Sequence, residues 1–191
     1  TKSLVAWTMG VRSDSKIVHG THTASLADEV GYDIRRLIAD ERYPWPEIRV
    51  ASDRGARTDW RTTEGGLYYG TSMGAGPTGR PANVLIIDDP LTNAQDADSD
   101  LIRQRQWDEY VRGFRSRLQP WSDGTPPIEL IVMTRWNEDD LAGRHLPEGY
   151  DGRSGRFTSR ATGEEWVVCS MPARAEHKND LLKRKKGDWL W

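Results

Sequence analysis

The sequence lacks the features that mark disulfide-stabilised, membrane-spanning or uniformly basic proteins. Its one cysteine, Cys169, cannot form an internal disulfide, so we expect a reducing environment. No apolar run is long enough to cross a bilayer, which predicts a protein without membrane contact. The formal net charge is -2, so any contact with nucleic acid would depend on local basic clusters rather than on overall charge.

What the chain does contain is typical of a single globular domain. Of its 191 residues, 36% are hydrophobic and 29% are charged, proportions that favour a folded core over disorder. The chain opens on Thr1 rather than on methionine, in the middle of a motif, and we interpret it as part of a longer protein.

Short apolar runs predict several strands. The run at 84–87 has no polar alternation, as in a strand covered on both faces, and the run at 128–133 predicts a second buried strand. A β-hairpin is predicted at 60–71 with its turn at Gly65-Gly66. Two further strands are expected, at 17–21 and 166–170.

Helical spacing of apolar residues predicts helices between these strands. They lie at 4–9, at 25–38, from the N-cap Ser99 onward, and at 138–144. The expected apolar face of the long third helix consists of Trp107, Tyr110, Val111, Phe114 and Leu118. Strands that alternate with helices predict an α/β fold, with a mostly parallel sheet, helices on both faces, and functional sites at the carboxyl ends of the strands.

The first three residues are one candidate element of a phosphate-binding site. A Walker A loop ends in Gly-Lys-Ser or Gly-Lys-Thr, in which the lysine reaches the β- and γ-phosphates and the hydroxyl binds magnesium. Thr1-Lys2-Ser3 matches this ending, with Thr1 where the glycine usually stands, and it runs directly into a predicted helix. A plain surface segment is the alternative, because a Lys-Ser pair before a helix is common.

Two adjacent carboxylates end the apolar run at 84–87. Asp88 matches a Walker B aspartate, which meets magnesium at a strand end, and Asp89 stands where a water-activating carboxylate belongs. Neighbouring acids are expected to raise each other's pKa, which suits metal or proton chemistry. The alternative is a buried strand that ends in a solvated Asp-Asp-Pro turn.

A third candidate is Thr134, which follows the second apolar run. A threonine at the end of a core strand can sense the γ-phosphate and report its hydrolysis to the rest of the fold. The alternative is an ordinary strand with a polar end and a capped helix behind it.

Taken together, these segments resemble the ATPase domain of the large terminase subunit of tailed bacteriophages. The resemblance follows the order of the chain over nearly its whole length, and the pairing of an Asp-Asp-Pro segment with a Thr-Arg-Trp segment is its most specific part. The segments that carry it are residues 20–27, 76–90, 134–144 and 171–176.

The resemblance implies a P-loop NTPase fold of the RecA/ASCE-like kind, with three layers. It implies a motor domain over residues 1–176, which begins inside Walker A, and a basic linker over 177–191 that leads toward a nuclease domain.

The same resemblance implies roles for individual residues. ATP and Mg²⁺ would be the cofactors, with Lys2 on the phosphates and with Ser3 and Asp88 on the metal. Asp89 would be the catalytic carboxylate, although many family members carry the longer glutamate there, and a displacement of about 1 Å can cost roughly 100-fold in rate. Thr134 would couple hydrolysis to movement. Arg80 would act as an arginine finger in a neighbouring subunit, and the alternative for Arg80 is a surface arginine in a mobile loop.

The implied function is ATP-driven translocation of double-stranded DNA into a procapsid. The implied partners are the DNA, the portal protein, the small terminase subunit and further copies of the chain in a ring, commonly a pentamer. The implied location is the host bacterial cytoplasm, with transient docking on the procapsid portal and absence from the mature virion.

Arginines on the long helix and around the hairpin are candidates for DNA contact, although a solvated helix face is the favoured interpretation. They are Arg103, Arg105, Arg112, Arg115 and Arg117 on the helix, with Arg54, Arg57 and Arg61 at the hairpin.

Other functions are compatible with parts of the pattern. A metal-dependent nuclease could use Asp88, Asp89, Asp139 and Asp140 as a two-metal cluster. A non-hydrolysing scaffold with an ATPase-like fold is a second alternative, and a helicase-type ATPase is a third.

Overall fold

The computed structural model describes residues 1–52, 55–177 and 180–191. The chain divides into two compact units, residues 1–134 and residues 135–191. The predicted motor domain at 1–176 and linker at 177–191 stay predictions, since the division into units does not test them. No helix in the described part of the chain is both long and apolar enough to span a membrane.

The first unit is built on a mostly parallel five-stranded sheet. The strands are β1 (Lys16–Thr21), β2 (Asp59–Arg61), β3 (Leu67–Ser72), β4 (Val84–Asp88) and β5 (Ile128–Val132). Their order across the sheet is β2-β3-β1-β4-β5. Only β2 runs antiparallel, as the hairpin partner of β3, so the predicted α/β class, the parallel sheet and the hairpin are confirmed.

Two helices cover one face of this sheet. They are α1 (Lys2–Val11) and α2 (Ala24–Ala39), and the hydroxyl of Thr23 caps α2 by accepting a hydrogen bond from the Leu26 amide at 3.2 Å. The core they form with the sheet includes Met9, Ile34, Trp60 and Tyr68, all almost fully buried. Burial of these large side chains is the main source of stability on this face.

The other face is covered by α4 (Asp100–Glu109), which follows the short α3 (Ala94–Asp98) and continues as a π turn (Tyr110–Phe114) and a 3-10 turn (Arg115–Arg117). Phe114 reaches the sheet at Gly20, where an added Cβ would lie 2.7 Å from the phenyl ring. Glycine at this point of β1 therefore lets the helix layer approach the sheet closely.

The buried face of the long helix differs from the predicted one. Tyr110 and Phe114 are fully buried as expected, but Val111 is 38% exposed and Trp107 is only half-buried. The remaining buried positions are Arg103 and Gln106. Apolar periodicity missed these two positions because their side chains are polar and become buried only through specific hydrogen bonds.

The prediction that residues 128–133 form a strand is confirmed, but the prediction that this strand is buried is wrong. β5 is the outer strand of the sheet, and its Ile128 and Val132 are 52% and 40% exposed. An edge strand has a neighbour on one side only, so an apolar composition does not by itself bury it.

The second unit contains α5 (Leu141–His145) and a hairpin of β6 (Gly155–Thr158) with β7 (Glu165–Val168). The fully buried carboxylate of Asp140 caps α5 by accepting from the Gly143 amide at 2.8 Å. The chain end returns to residues 173–175, where the Leu190 amide donates to the Ala173 carbonyl at 2.8 Å. The strand predicted at 166–170 thus belongs to this hairpin, outside the parallel sheet.

Candidate functional site

Three neighbouring parallel strands end at one edge of the sheet. Thr21 of β1 lies beside Asp88 of β4, and Asp88 lies beside Val132 of β5. The residues that follow these strands therefore share the carboxyl edge, where ligands bind in open α/β sheets.

The amino end of α1 meets this edge at Asp88. Thr1 is the N-cap of α1, and its hydroxyl donates a hydrogen bond to Oδ2 of Asp88. The amino end of a helix presents free backbone amides and partial positive charge, which favour anions such as phosphate. The structure thus brings Thr1, the first residue of the candidate phosphate-binding segment, to Asp88.

Asp88 is half-buried and has a buried histidine behind it. Nε2 of His19 lies 3.5 Å from Oδ2 of Asp88, a distance typical of an ion pair and longer than a standard hydrogen bond. Burial alone would raise the pKa of Asp88, but the contacts with His19 and Thr1 outweigh it and set the pKa below its ordinary value. This direction is opposite to that expected from two adjacent acids, so Asp88 is held as the carboxylate anion that a metal requires.

Asp89 is exposed, and its backbone is in the left-handed region with φ of 47°. Its amide donates to the Val132 carbonyl at 2.8 Å, and its carbonyl accepts from Nδ1 of His22 at 3.0 Å. A left-handed residue other than glycine costs about 1–2 kcal/mol. These backbone contacts fix the turn and leave the Asp89 carboxylate pointing away from the core.

The turn is also held from the helix layer. Buried Gln106 donates from Nε2 to the Pro90 carbonyl at 2.7 Å. Because Pro90 directly follows Asp89, α4 contributes to the position of both carboxylates.

Lys2 and Ser3 lie in the first turn of α1, at the same edge. The Lys2 ammonium pairs with Asp33 at 2.6 Å and with Glu29 at 3.6 Å, both on α2. The hydrogen bond to Asp33 raises the Lys2 pKa. Ser3 is exposed, and its hydroxyl has no hydrogen bond to any residue that the structure describes. Phosphate contact would require Lys2 to leave Asp33.

Thr134 and Arg80 have different relations to this edge. Thr134 is exposed and lies two residues beyond Val132, the last residue of the strand next to Asp88. Arg80 pairs with Asp59 at 2.5 Å and stacks over the Tyr69 ring at 5.0 Å. Since β1 separates β3 from β4, the structure does not bring Arg80 to Asp88 of the same chain.

The arginines proposed for DNA contact are mostly engaged within the fold. Arg103 is buried and donates to the Ala97 carbonyl, and Arg115 pairs with Glu129 at 3.1 Å. Arg57 pairs with Asp28 at 3.0 Å. Arg105 and Arg112 are exposed, and Arg54 lies outside the described residues. A continuous basic stripe along α4 is therefore not formed, because Arg103 turns inward.

The carboxylates at this edge suit Mg²⁺, which needs few protein ligands, better than a metal ion that takes all of its ligands from protein side chains. The described residues contain no group of three or more His, Cys, Asp or Glu side chains that could hold a metal. Mg²⁺ keeps several waters and typically takes one or two carboxylates together with substrate phosphates. Asp88 would supply the carboxylate of such a partial site, and Ser3, in the first turn of α1, would supply a hydroxyl.

The two other aspartates of the nuclease hypothesis have structural partners in the second unit. Asp139 pairs with Arg144 at 2.8 Å, and Asp140 caps α5 and pairs with Arg135 at 2.9 Å. Carboxylates engaged in this way are less available for a metal cluster.

Sequence reasoning missed His19, His22 and Gln106 as site residues. The signal for His19 was a titratable residue inside an otherwise buried apolar strand, which requires a partner. Gln106 and His22 gave no comparable signal, because their contacts are with backbone carbonyls of the Asp89-Pro90 turn.

No protein-family model and no curated protein matches this chain. The case for a function therefore depends on the geometry of the carboxyl edge and on the resemblance of its motifs.

Proposed function

We propose that this chain is the ATP-hydrolysing motor domain of a viral DNA-packaging terminase, which couples hydrolysis to translocation of double-stranded DNA into a procapsid. The observation that carries the proposal is the contact between Thr1, at the amino end of α1, and Asp88, at the carboxyl end of β4. Residues 87 positions apart in sequence meet there, which supports a site between the amino end of a helix and a carboxylate at a strand end, the two parts that a phosphate loop and a Walker B motif combine.

In this proposal ATP and Mg²⁺ bind at the carboxyl edge. The metal, when bound, neutralises charge on the β- and γ-phosphates. Ser3 and Asp88 are the residues that would hold it. Lys2 exchanges Asp33 for the phosphates, an exchange that the length and flexibility of a lysine side chain allow.

Asp89 orients the attacking water and accepts its proton. Its exposure and its strained backbone are features common at catalytic positions. Thr134 lies two residues beyond the neighbouring strand β5, where it senses the γ-phosphate, and Arg80 serves the site of an adjacent subunit. An arginine finger contributes about 10³- to 10⁵-fold to phosphoryl transfer.

The proposed P-loop NTPase fold also accounts for the open edge of β5. In the P-loop motif a strand leads into the phosphate loop and ends where the following helix begins. α1 begins beside Asp88, and the nearest open edge there is that of β5, with its exposed Ile128 and Val132. We expect residues preceding Thr1 to pair with β5 in a longer form of the protein.

The partners and the location belong to the same proposal and have the motif resemblance as their support. They are the DNA, the portal protein, the small terminase subunit, a ring of copies of this chain, and the host bacterial cytoplasm with docking on the portal. A scaffold without hydrolysis is a second candidate, favoured by the ion pair that holds Lys2 on Asp33.

The test is magnesium-dependent ATP hydrolysis by a longer form that includes the residues before Thr1, with and without double-stranded DNA. We expect turnover that falls at least about 100-fold in Asp89→Ala, since the water then lacks its base. Glu64→Ala is the matched control, because Glu64 is an exposed carboxylate in the turn at the opposite end of the sheet.

Turnover that is unchanged in Asp89→Ala would contradict the assigned role of Asp89. A longer form that binds MgATP but does not hydrolyse it, with DNA and portal present, would favour the scaffold. DNA cleavage that needs metal but no ATP would favour the nuclease.

A further inference from the structure

His19 is a fully buried titratable side chain in the central region of the sheet. It lies in β1, two residues before the carboxyl end, and its exposed fraction is 0%. Its Nε2 atom has no hydrogen-bond partner within the described ranges, and Oδ2 of Asp88 lies 3.5 Å away. An apolar side chain would fill this position without a buried polar atom, so the histidine needs an explanation beyond packing.

Tyr68 lies at the other nitrogen of His19. Its hydroxyl is 3.2 Å from Nδ1 of His19, in a T-shaped pair of rings. An imidazole whose Nδ1 accepts a hydrogen bond from a phenol hydroxyl carries its own proton on Nε2, which is here the atom that faces Asp88.

The two oxygens of Asp88 have different surroundings. Oδ2 accepts from the Thr1 hydroxyl and faces Nε2 of His19. Oδ1 has no hydrogen bond to any residue described in the structure. A carboxylate with one oxygen held by the Thr1 hydroxyl and faced by the His19 imidazole presents its other oxygen in a fixed direction.

We propose that His19, oriented by Tyr68, is a positioning residue that holds Oδ2 of Asp88 and so directs Oδ1 toward the magnesium of the bound nucleotide. This inference rests on the proposed ATPase function. His19 does not touch the nucleotide or the metal; it acts through Asp88. Outer partners of metal-binding carboxylates typically contribute about 10- to 100-fold to metal affinity or activity.

Two substitutions of His19 test the roles of its two ring nitrogens separately. Glutamine places its terminal amide near the position of Nε2, and asparagine places its amide near Nδ1. His19→Gln therefore retains a donor for Asp88, and His19→Asn retains only the contact with Tyr68. Both variants leave a polar amide in the same buried position, so each controls for the general cost of changing His19.

The measurement is binding of Mn²⁺ in the presence of a non-hydrolysable ATP analogue, followed by electron paramagnetic resonance on the longer form of the protein. Mn²⁺ replaces Mg²⁺ as the probe, and the readout does not require turnover. We expect His19→Asn to weaken Mn²⁺ binding about 10- to 100-fold and His19→Gln to stay within about threefold of the parent. Tyr68→Phe is expected to weaken binding less than His19→Asn, because it leaves the imidazole in place.

Equal affinities for His19→Gln and His19→Asn would overturn the proposal. If neither variant folds, Tyr68→Phe and the imidazole ¹⁵N shifts of the parent decide. A proton on Nε2 together with weaker Mn²⁺ binding by Tyr68→Phe supports the proposal, and a proton on Nδ1 or unchanged binding overturns it.

The outcomes also separate this proposal from the proposed function. A parent protein that binds no Mn²⁺ with the nucleotide analogue would overturn both. If the parent binds Mn²⁺ and the nucleotide analogue, and all three variants bind Mn²⁺ as tightly as the parent, only the role of His19 is overturned.

Discussion

Strands β4 and β5 are neighbours with similar apolar sequences and very different surroundings. Val84, Leu85, Ile86 and Ile87 of β4 are each at most 4% exposed, whereas Ile128 and Val132 of β5 are 52% and 40% exposed. The two strands pair in parallel and end at the same edge. The difference shows that burial of a strand depends on its neighbours in the sheet, which its own composition does not reveal.

The difference extends to the residues that follow the two strands. Asp88 and Asp89 are held from both sides, by His19 and His22 and by the carbonyl of Val132. Thr134, after β5, is exposed and has no such contacts within the described residues. A fixed carboxylate beside a less restrained threonine suits a site in which one strand holds the metal and its neighbour responds to hydrolysis.

The largest expected effect is a difference in stability between matched substitutions in β4 and β5. Leu85→Ala removes a fully buried side chain of β4, and we expect it to lower the free energy of unfolding by about 2–5 kcal/mol. Leu130→Ala, at a partly buried position of β5, should cost roughly half as much, because less of its surface leaves water on folding. Urea denaturation of both variants measures this, and equal losses would contradict the assignment of β5 to the edge.

A smaller effect is expected at the turn after β4. Asp89→Gly relieves the left-handed strain and Asp89→Ala does not, so the glycine variant should be more stable by about 1 kcal/mol. Both variants should lose turnover in the longer form, since both lack the carboxylate. Thermal unfolding and ATP hydrolysis measured side by side check the prediction, and an alanine variant as stable as the glycine variant would show that the turn is unstrained.

The smallest effect is expected on the outer side of β5. Ile128→Thr should change the stability of this chain by no more than about 0.5 kcal/mol, because the side chain is exposed. In a longer form Ile128→Thr should lower the free energy of unfolding more, since an added strand would bring its own side chains beside Ile128. Hydrogen exchange of the β5 amides provides a second readout, with slower exchange expected in the longer form. Identical exchange in both forms would contradict strand addition at β5.

Much of the fold could be predicted from sequence because periodicity is a local property. The unbroken apolar run at 84–87 and the helical spacing at 25–38 correspond to β4 and α2. The motifs predicted that Ser3 and Asp88 share a metal, but the contact of Thr1 with Asp88 was not predicted, since no local rule brings together residues so far apart in the chain.

What could not be predicted depends on tertiary contacts of polar side chains. Arg103 and Gln106 occupy buried positions of α4 because backbone carbonyls of Ala97 and Pro90 accept their hydrogen bonds. His19 is tolerated in β1 because Tyr68 and Asp88 face its two nitrogens. Apolar patterns contain no information about such pairs, so the elements near the site were predicted better than the contacts that support it.

The most direct test of the central claim is to locate the nucleotide-bound metal. Mn²⁺ with a non-hydrolysable ATP analogue, added to the isotopically labelled longer form, should broaden the amide signals of Ser3, Asp88 and Asp89 and of their immediate neighbours more strongly than any others in the described part of the chain. That result would place the metal at the carboxyl edge beside β4. Strongest broadening at Asp139 and Asp140, or no broadening that depends on the nucleotide, would contradict an ATPase site at Asp88.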